Sequence, residues 1–195
     1  MQETEKNKKQ LILESAARLF RDKGYAATSM RDLAQEVHLK ASSLYNHIAS
    51  KEDILREICL GTAEKFLLAM DEAEKLPIPP AGKIEHLLRF HVKIALQDPT
   101  SVTSFNDEWR HLREPFLNGF MTMRQDYERR FLLLLKQGMD TGELAHIEPR
   151  VALYTLFSAM RWLYDWFRPG KSLSAETVET AVMHLLMNGL FKKGS

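Results

Sequence analysis

The residues best suited to chemistry lie between Thr28 and Lys51, in the stretch TSMRDLAQEVHLKASSLYNHIASK. Ser42, Ser43 and Asn46 are short hydrogen-bonding side chains. Tyr45 and His47 add a phenol and an imidazole, and Lys40 and Lys51 bring positive charge. Groups of these kinds read base edges in a major groove and hold phosphates, and small residues at a helix start let the backbone come close. At about 100° per residue, Ala41, Leu44 and Ile48 share one side of a short helix. Ser42, Ser43 and Asn46 fall opposite, with Tyr45 and His47 on the flanks. The expectation is that Thr28, Tyr45, His47 and Lys51 meet phosphates. Lys40, Ala41, Ser42, Ser43 and Asn46 would face bases, with Ser29 and Arg31 beside them. On periodicity alone, a solvated helix of an α-bundle fits equally well.

A second group lies further along the chain. Phe116, Phe120, Met123, Tyr127, Phe157 and Trp162 would line a tunnel for an apolar ligand body, and Trp166 follows one turn on. Arg110, Arg124, Arg161 or Arg168 would meet phosphates bidentately. The same residues have other readings. The aromatic stripe is a core, Arg161 pairs with Asp165 at i, i+4, and Trp162 and Trp166 anchor a contact between subunits.

Helices must position these groups. Apolar residues recur with helical period throughout, and no strand signal is present, so the chain is expected to be all-α with about nine helices. The first spans about residues 5–23, with Leu11, Ile12, Ser15, Ala16, Leu19 and Phe20 inward and Gly24 as its stop. The next two flank a turn at His38 and Leu39: Met30–Val37, capped by Thr28 or Ser29, and about Lys40–Ala49. Ser50 caps a long fourth helix that ends near Lys75, and the prolines of LPIPPAGK, residues 76–83, form a loop. The fifth, about 83–96, turns Ile84, Leu87, Leu88, His91 and Ala95 inward. A sixth piece covers about 99–112, and a seventh runs from Pro115 to about Thr141, with Gly142 as its stop. The eighth, VALYTLFSAMRWLYDWF, is apolar nearly all round. The ninth follows the cap Ser174 and carries Val178, Ala181, Val182, Leu185, Leu186, Gly189 and Leu190 at helical spacing. Two final helices with more apolar surface than one bundle covers predict a homodimer through about residues 150–191.

Composition limits the functional classes. A chain of 195 residues with 45% hydrophobic content can bury a real core. A net charge of +1 leaves no basic tail, so nucleic-acid binding would rest on a local face. The single cysteine, Cys59, lies on an apolar helix face; it allows no intrachain disulfide, and a reducing cytoplasm fits. The N-terminus has no apolar signal segment, and no apolar run reaches membrane length, so no membrane span is expected. There is no G-x-S-x-G, P-loop or G-x-G-x-x-G, and the seven histidines give neither H-E-x-x-H nor a pair of E-x-x-H. No enzyme, metal site or cofactor is expected.

The stretch LILESAARLFRDKGYAATSMRDLAQEVHLKASSLYNHIASKEDIL closely resembles the N-terminal domain of the tetracycline-repressor (TetR) family of bacterial transcription regulators. The matching positions are Ala16, Leu19, Phe20, Gly24, Tyr25, Thr28, Ser29, Leu33, Ala34, Val37, Leu44, Tyr45, His47, Lys51, Glu52 and Leu55. The family usually has Gly where His38 stands, Phe where Ile48 stands and Gly near Ala41 or Ser42, so His38 is expected to hold a positive φ. The resemblance implies a helix-turn-helix domain over residues 1–52, with its motif at about 30–49. Residues 53–195 would form a ligand-binding and dimerisation domain, and a palindromic double-stranded DNA operator would be the partner. Glu108, Arg110, Gly138, Gly142, Trp162, Trp166, Phe167, Arg168, Pro169 and Gly170 look more loosely like the branch that answers to acyl-coenzyme A (acyl-CoA) thioesters. That branch often has Asn where Arg161 stands. This likeness implies a repressor of lipid or aromatic-acid catabolism released by an acyl-CoA. A xenobiotic-responsive repressor of efflux genes and an effector-independent DNA-binding dimer are the alternatives.

Overall fold

A computed structural model describes residues 2–167 and 173–189, with side chains from Lys8 onward. Among the described residues the chain is helical throughout, without strands: α1 Gln2–Lys23, α2 Met30–Glu36, α3 Ala41–Tyr45, α4 Lys51–Lys75, α5 Pro80–Gln97, α6 Pro99–Thr103, α7 Phe116–Asp140, α8 Pro149–Arg161, α9 Leu163–Trp166 and α10 Ala175–Asn188. Gly24 at φ 84° and Gly142 at φ 75° terminate α1 and α7 in the left-handed region that favours glycine.

Several boundaries differ from the sequence reading. α3 is shorter than residues 40–49: after Tyr45 the chain tightens, Ile48 N and His47 N both donating to Leu44 O. α5 begins at Pro80, inside the expected loop, because proline at a helix start needs no N–H partner and has its φ preset. The expected sixth piece breaks into α6, a π-helical turn at Ser104–Glu108 and a 3₁₀ turn at Trp109–His111. There, Ser104 Oγ donates to Thr100 O and competes for a carbonyl of the regular ladder. The expected eighth helix is divided at Trp162 into α8 and α9, so the expected ninth helix is α10.

The chain forms two compact units, and they do not divide at residue 52. The first comprises residues 1–65 and 100–123, the second 66–99 and 124–195. The first unit is centred on Ile12, Ala16, Phe20, Leu33, Leu44, Ile54, Leu55 and Cys59. Leu112 and Phe120 join that core, which is why the segment after residue 100 belongs to it. In the second unit Leu87, Leu88, Phe131, Leu153, Leu163, Tyr164, Val178 and Met183 are buried. α10 therefore divides its apolar residues: Val178, Val182 and Met183 face in, whereas Ala181 and Leu185 face out.

Two close fits fix the second unit. Arg130 of α7 reaches Asp71 at 2.6 Å and Glu74 at 2.7 Å on α4, and its hydrogen bond to Glu74 holds that carboxyl below the usual carboxylate range. Gly138 approaches Leu144 so closely that an added Cβ would lie 2.8 Å from its Cδ1. Among the described residues, no helix is long and apolar enough to cross a membrane.

Candidate DNA interface and effector site

In the first unit, α2 and α3 meet across a turn in which His38 takes φ 53°, as its place at the usual glycine position implies. Ser29 caps α2: its Oγ accepts from Asp32 N at 3.2 Å, and its own N–H donates to Asp32 Oδ2 at 2.8 Å. A short contact also joins Ser29 Oγ to the same carboxylate. Hydrogen bonds from Ser29 hold the Asp32 carboxyl below its ordinary value. The reciprocal bonds satisfy two donors and set where α2 begins.

Leu44 and Ile48 anchor α3 in the core, at 0% and 4% exposure. Lys40, Ala41, Ser42, Tyr45 and Asn46 are exposed, with Ser43 and His47 half-buried. Ala41, read on the inner side by spacing, therefore faces outward. Ser29 and Arg31 are exposed beside this face. The result is a surface of short donors and acceptors on a buried apolar anchor, suited to a major groove.

Two residues expected at phosphates are turned inward. Thr28 is buried, and its hydroxyl donates to Gly24 O at 2.9 Å. Lys51 Nζ donates to Tyr25 O at 2.7 Å and to Thr28 O at 2.6 Å, and lies 4.2 Å from the centre of the Tyr25 ring. Burial lowers the pKa of this ammonium, and the Glu108 carboxylate opposes the shift. Both side chains hold the turn that leads into α2. The same turn is gripped from the irregular segment: Glu108 Oε1 accepts from Tyr25 N at 3.2 Å, and His111 stacks on Tyr25 at 4.9 Å.

The residues expected around a ligand fall in both units. In the first, Phe120 packs on Trp109 and Phe105, Met123 packs against the core, Arg56 lies over Phe116, and Arg110 lies over Trp109. In the second, Arg124 pairs with Glu128 at 3.3 Å, and Arg161 Nε donates to Tyr164 Oη at 3.0 Å. Trp162 and Trp166 meet edge to face, 42% and 50% exposed, on the outside of the unit. Arg168, with Pro169 and Gly170, lies outside the described residues.

Tyr127 and Phe157 are brought together around a residue that the sequence reading placed inward but gave no role. His91 of α5 stands 4.5 Å from Phe66, 5.2 Å from Phe157 and 5.6 Å from Tyr127, ring centre to ring centre. Phe90 and Phe131 extend this nest. His91 Nε2 and Tyr127 Oη are 2.8 Å apart. Burial pushes the His91 pKa down to about 3 and raises that of Tyr127, so both are neutral near pH 7. A lone histidine in an otherwise apolar inner stripe is the sequence signal that marks this place. Among the described residues, no His, Cys, Asp and Glu converge in a metal-sized group.

A family model described as bacterial regulatory proteins, tetR family, matches residues 12–58, and one for the tetracyclin repressor-like C-terminal domain matches residues 77–190. The HTH-type transcriptional repressor KstR2 of Rhodococcus jostii is 26% identical, over 92% of this chain and 89% of its own. KstR2 of Mycobacterium tuberculosis is 24% identical, over 94% and 92%. The structure of the TetR family regulator PfmR from Thermus thermophilus aligns with a TM-score of 0.79 at 29% identity, over 93% of this chain and 99% of that one. The structure of AibR in complex with isovaleryl coenzyme A and operator DNA aligns with a TM-score of 0.79 at 22% identity, over 94% and 100%, a likeness of fold.

Proposed function

Because this chain belongs to the TetR family of bacterial regulatory proteins, and is a transcriptional regulator rather than an enzyme, we propose that it is a homodimeric repressor released by an acyl-CoA ester. Its targets would be genes of lipid or aromatic-acid breakdown, on operator DNA in the cytoplasm. One observation carries the DNA reading: α3 presents Lys40, Ser42, Tyr45 and Asn46 outward while Leu44 and Ile48 lock it to the core. The relatives named as KstR2 repressors and the AibR complex support repression and a CoA-ester effector.

An apolar outer surface supports the dimer. Val151 and Tyr154 of α8, Trp162, Trp166 of α9, and Leu185 and Met187 of α10 are each more than a third exposed in the protomer, and a second copy would cover them. Two-fold symmetry then sets two α3 helices on the halves of a palindrome, roughly 34–36 Å apart. α4 contributes Lys51–Lys65 to the first unit and Phe66–Lys75 to the second. A ligand that tilts it would change the half-site spacing and so weaken operator binding. Selection from random DNA should return an inverted repeat, and Asn46→Ala should flatten preference at one base position by about 1–3 kcal/mol. Recovery of no two-fold sequence, or an Asn46→Ala profile identical to the wild type, would contradict this reading.

A further inference from the structure

The aromatic nest holds a directional signal in its proton positions. Among the described residues, the side chains of Tyr127 and His91 make no hydrogen bond except the one to each other. A buried phenol directs its proton at an acceptor, and His91 Nε2 is the acceptor within reach. With the phenol as donor, the imidazole proton sits on Nδ1, which becomes a donor without a partner among the described side chains. Among the described residues no fully buried side-chain nitrogen or oxygen lacks a partner. His91 and Phe157 also keep part of their surface accessible. Nδ1–H thus opens on a space that an atom of solvent size can enter.

We infer that this nest binds the uncharged carbonyl end of an apolar effector, Nδ1–H of His91 donating to the carbonyl oxygen while the rings of Phe66, Tyr127 and Phe157 enclose the group attached to it. Charge complementarity excludes a carboxylate there. Among the described residues, the cation whose charge reaches Tyr127 is Arg130, whose guanidinium is already paired with Asp71 and Glu74, and the imidazole stays neutral. A carboxylate would lose its hydration and gain no countercharge. The inference rests on the second unit being the sensor, and it assigns the acyl end, not the coenzyme, to the nest.

Acetophenone, ethylbenzene and benzoate are matched probes that differ at that one group. Calorimetric titration of the full-length protein at about pH 7.5 should give acetophenone at least about tenfold tighter than benzoate and severalfold tighter than ethylbenzene. His91→Phe should erase the preference for acetophenone over ethylbenzene while ethylbenzene still binds. His91→Gln keeps an N–H donor and should retain part of the preference, which covers the case of a Phe variant that does not fold. Proton–nitrogen NMR of the ring should show the Nδ1–H tautomer and a shift on adding acetophenone. Equal binding of benzoate, an Nε2–H tautomer, or an unchanged preference in both variants would overturn the assignment. Operator release by CoA esters combined with any of those results would leave the sensor reading standing and remove this one.

Discussion

Lys51 shows how far residue type alone can mislead. A lysine at the start of a helix beside a DNA-reading element reads as a phosphate contact, yet here its ammonium folds back on Tyr25 and Thr28. Those carbonyls lie more than twenty residues away in the chain, a distance that no local spacing rule covers. Lys51→Met should leave two carbonyls short of a donor and lower stability by about 1–3 kcal/mol, measured by urea unfolding. The slope of log affinity against log salt should stay as in the wild type, whereas loss of a phosphate contact would reduce it by about one. His91 carries the second prediction. Its pKa falls from 6.5 to about 3 in the fold, so unfolding takes up a proton across that window. Stability is therefore intact above about pH 6.5 and declines as pH falls towards 3, by at most about 1.4 kcal/mol per unit from this group. Between about pH 7.5 and 5, the wild type should lose up to about 2 kcal/mol more than His91→Phe. Equal losses would mean that the imidazole is not neutral in the fold.

At the scale of elements, the inner stripes were legible in the sequence because burial imposes the helical period. Ile12, Ala16 and Phe20 face in on α1, as do Leu87 and Leu88 on α5, and the stops at Gly24 and Gly142 are where a left-handed residue is needed. The break at Trp162 and the π and 3₁₀ turns of residues 104–111 were not legible, because their sequences suit an uninterrupted helix and tertiary contacts override that preference. The grip of Glu108 and His111 on Tyr25 is one such contact. The reciprocal cap at Ser29 was half visible, since Thr28 competes for the position; the structure buries Thr28 and gives the cap to Ser29. Ser29→Ala should therefore cost about 1 kcal/mol, whereas a cap at Thr28 would leave the Ser29→Ala unfolding curve unchanged. The ligand residues were only partly legible. The sequence put Tyr127 and Phe157 in one ligand lining, but it did not show that Phe116, Phe120 and Met123 belong to the first unit's packing.

For the whole molecule, the proposed regulation needs two copies and two states. Leu185 is 48% exposed in the protomer, so Leu185→Glu leaves the fold intact but sets a charge against the apolar face of a partner. Light scattering should report a monomer, and cooperative operator binding should be lost; a stable dimer of the variant would move the interface elsewhere. The two states are coupled only if the effector prefers the one that does not fit DNA, typically by about 1–3 kcal/mol. The direct test is fluorescence anisotropy of the selected operator bound to the full-length protein, titrated with aliphatic, alicyclic and aromatic acyl-CoA esters. At least one class should weaken operator affinity about tenfold or more, which corresponds to about 1.4 kcal/mol. Operator binding that no acyl-CoA ester weakens would contradict it and leave an effector-independent DNA-binding protein.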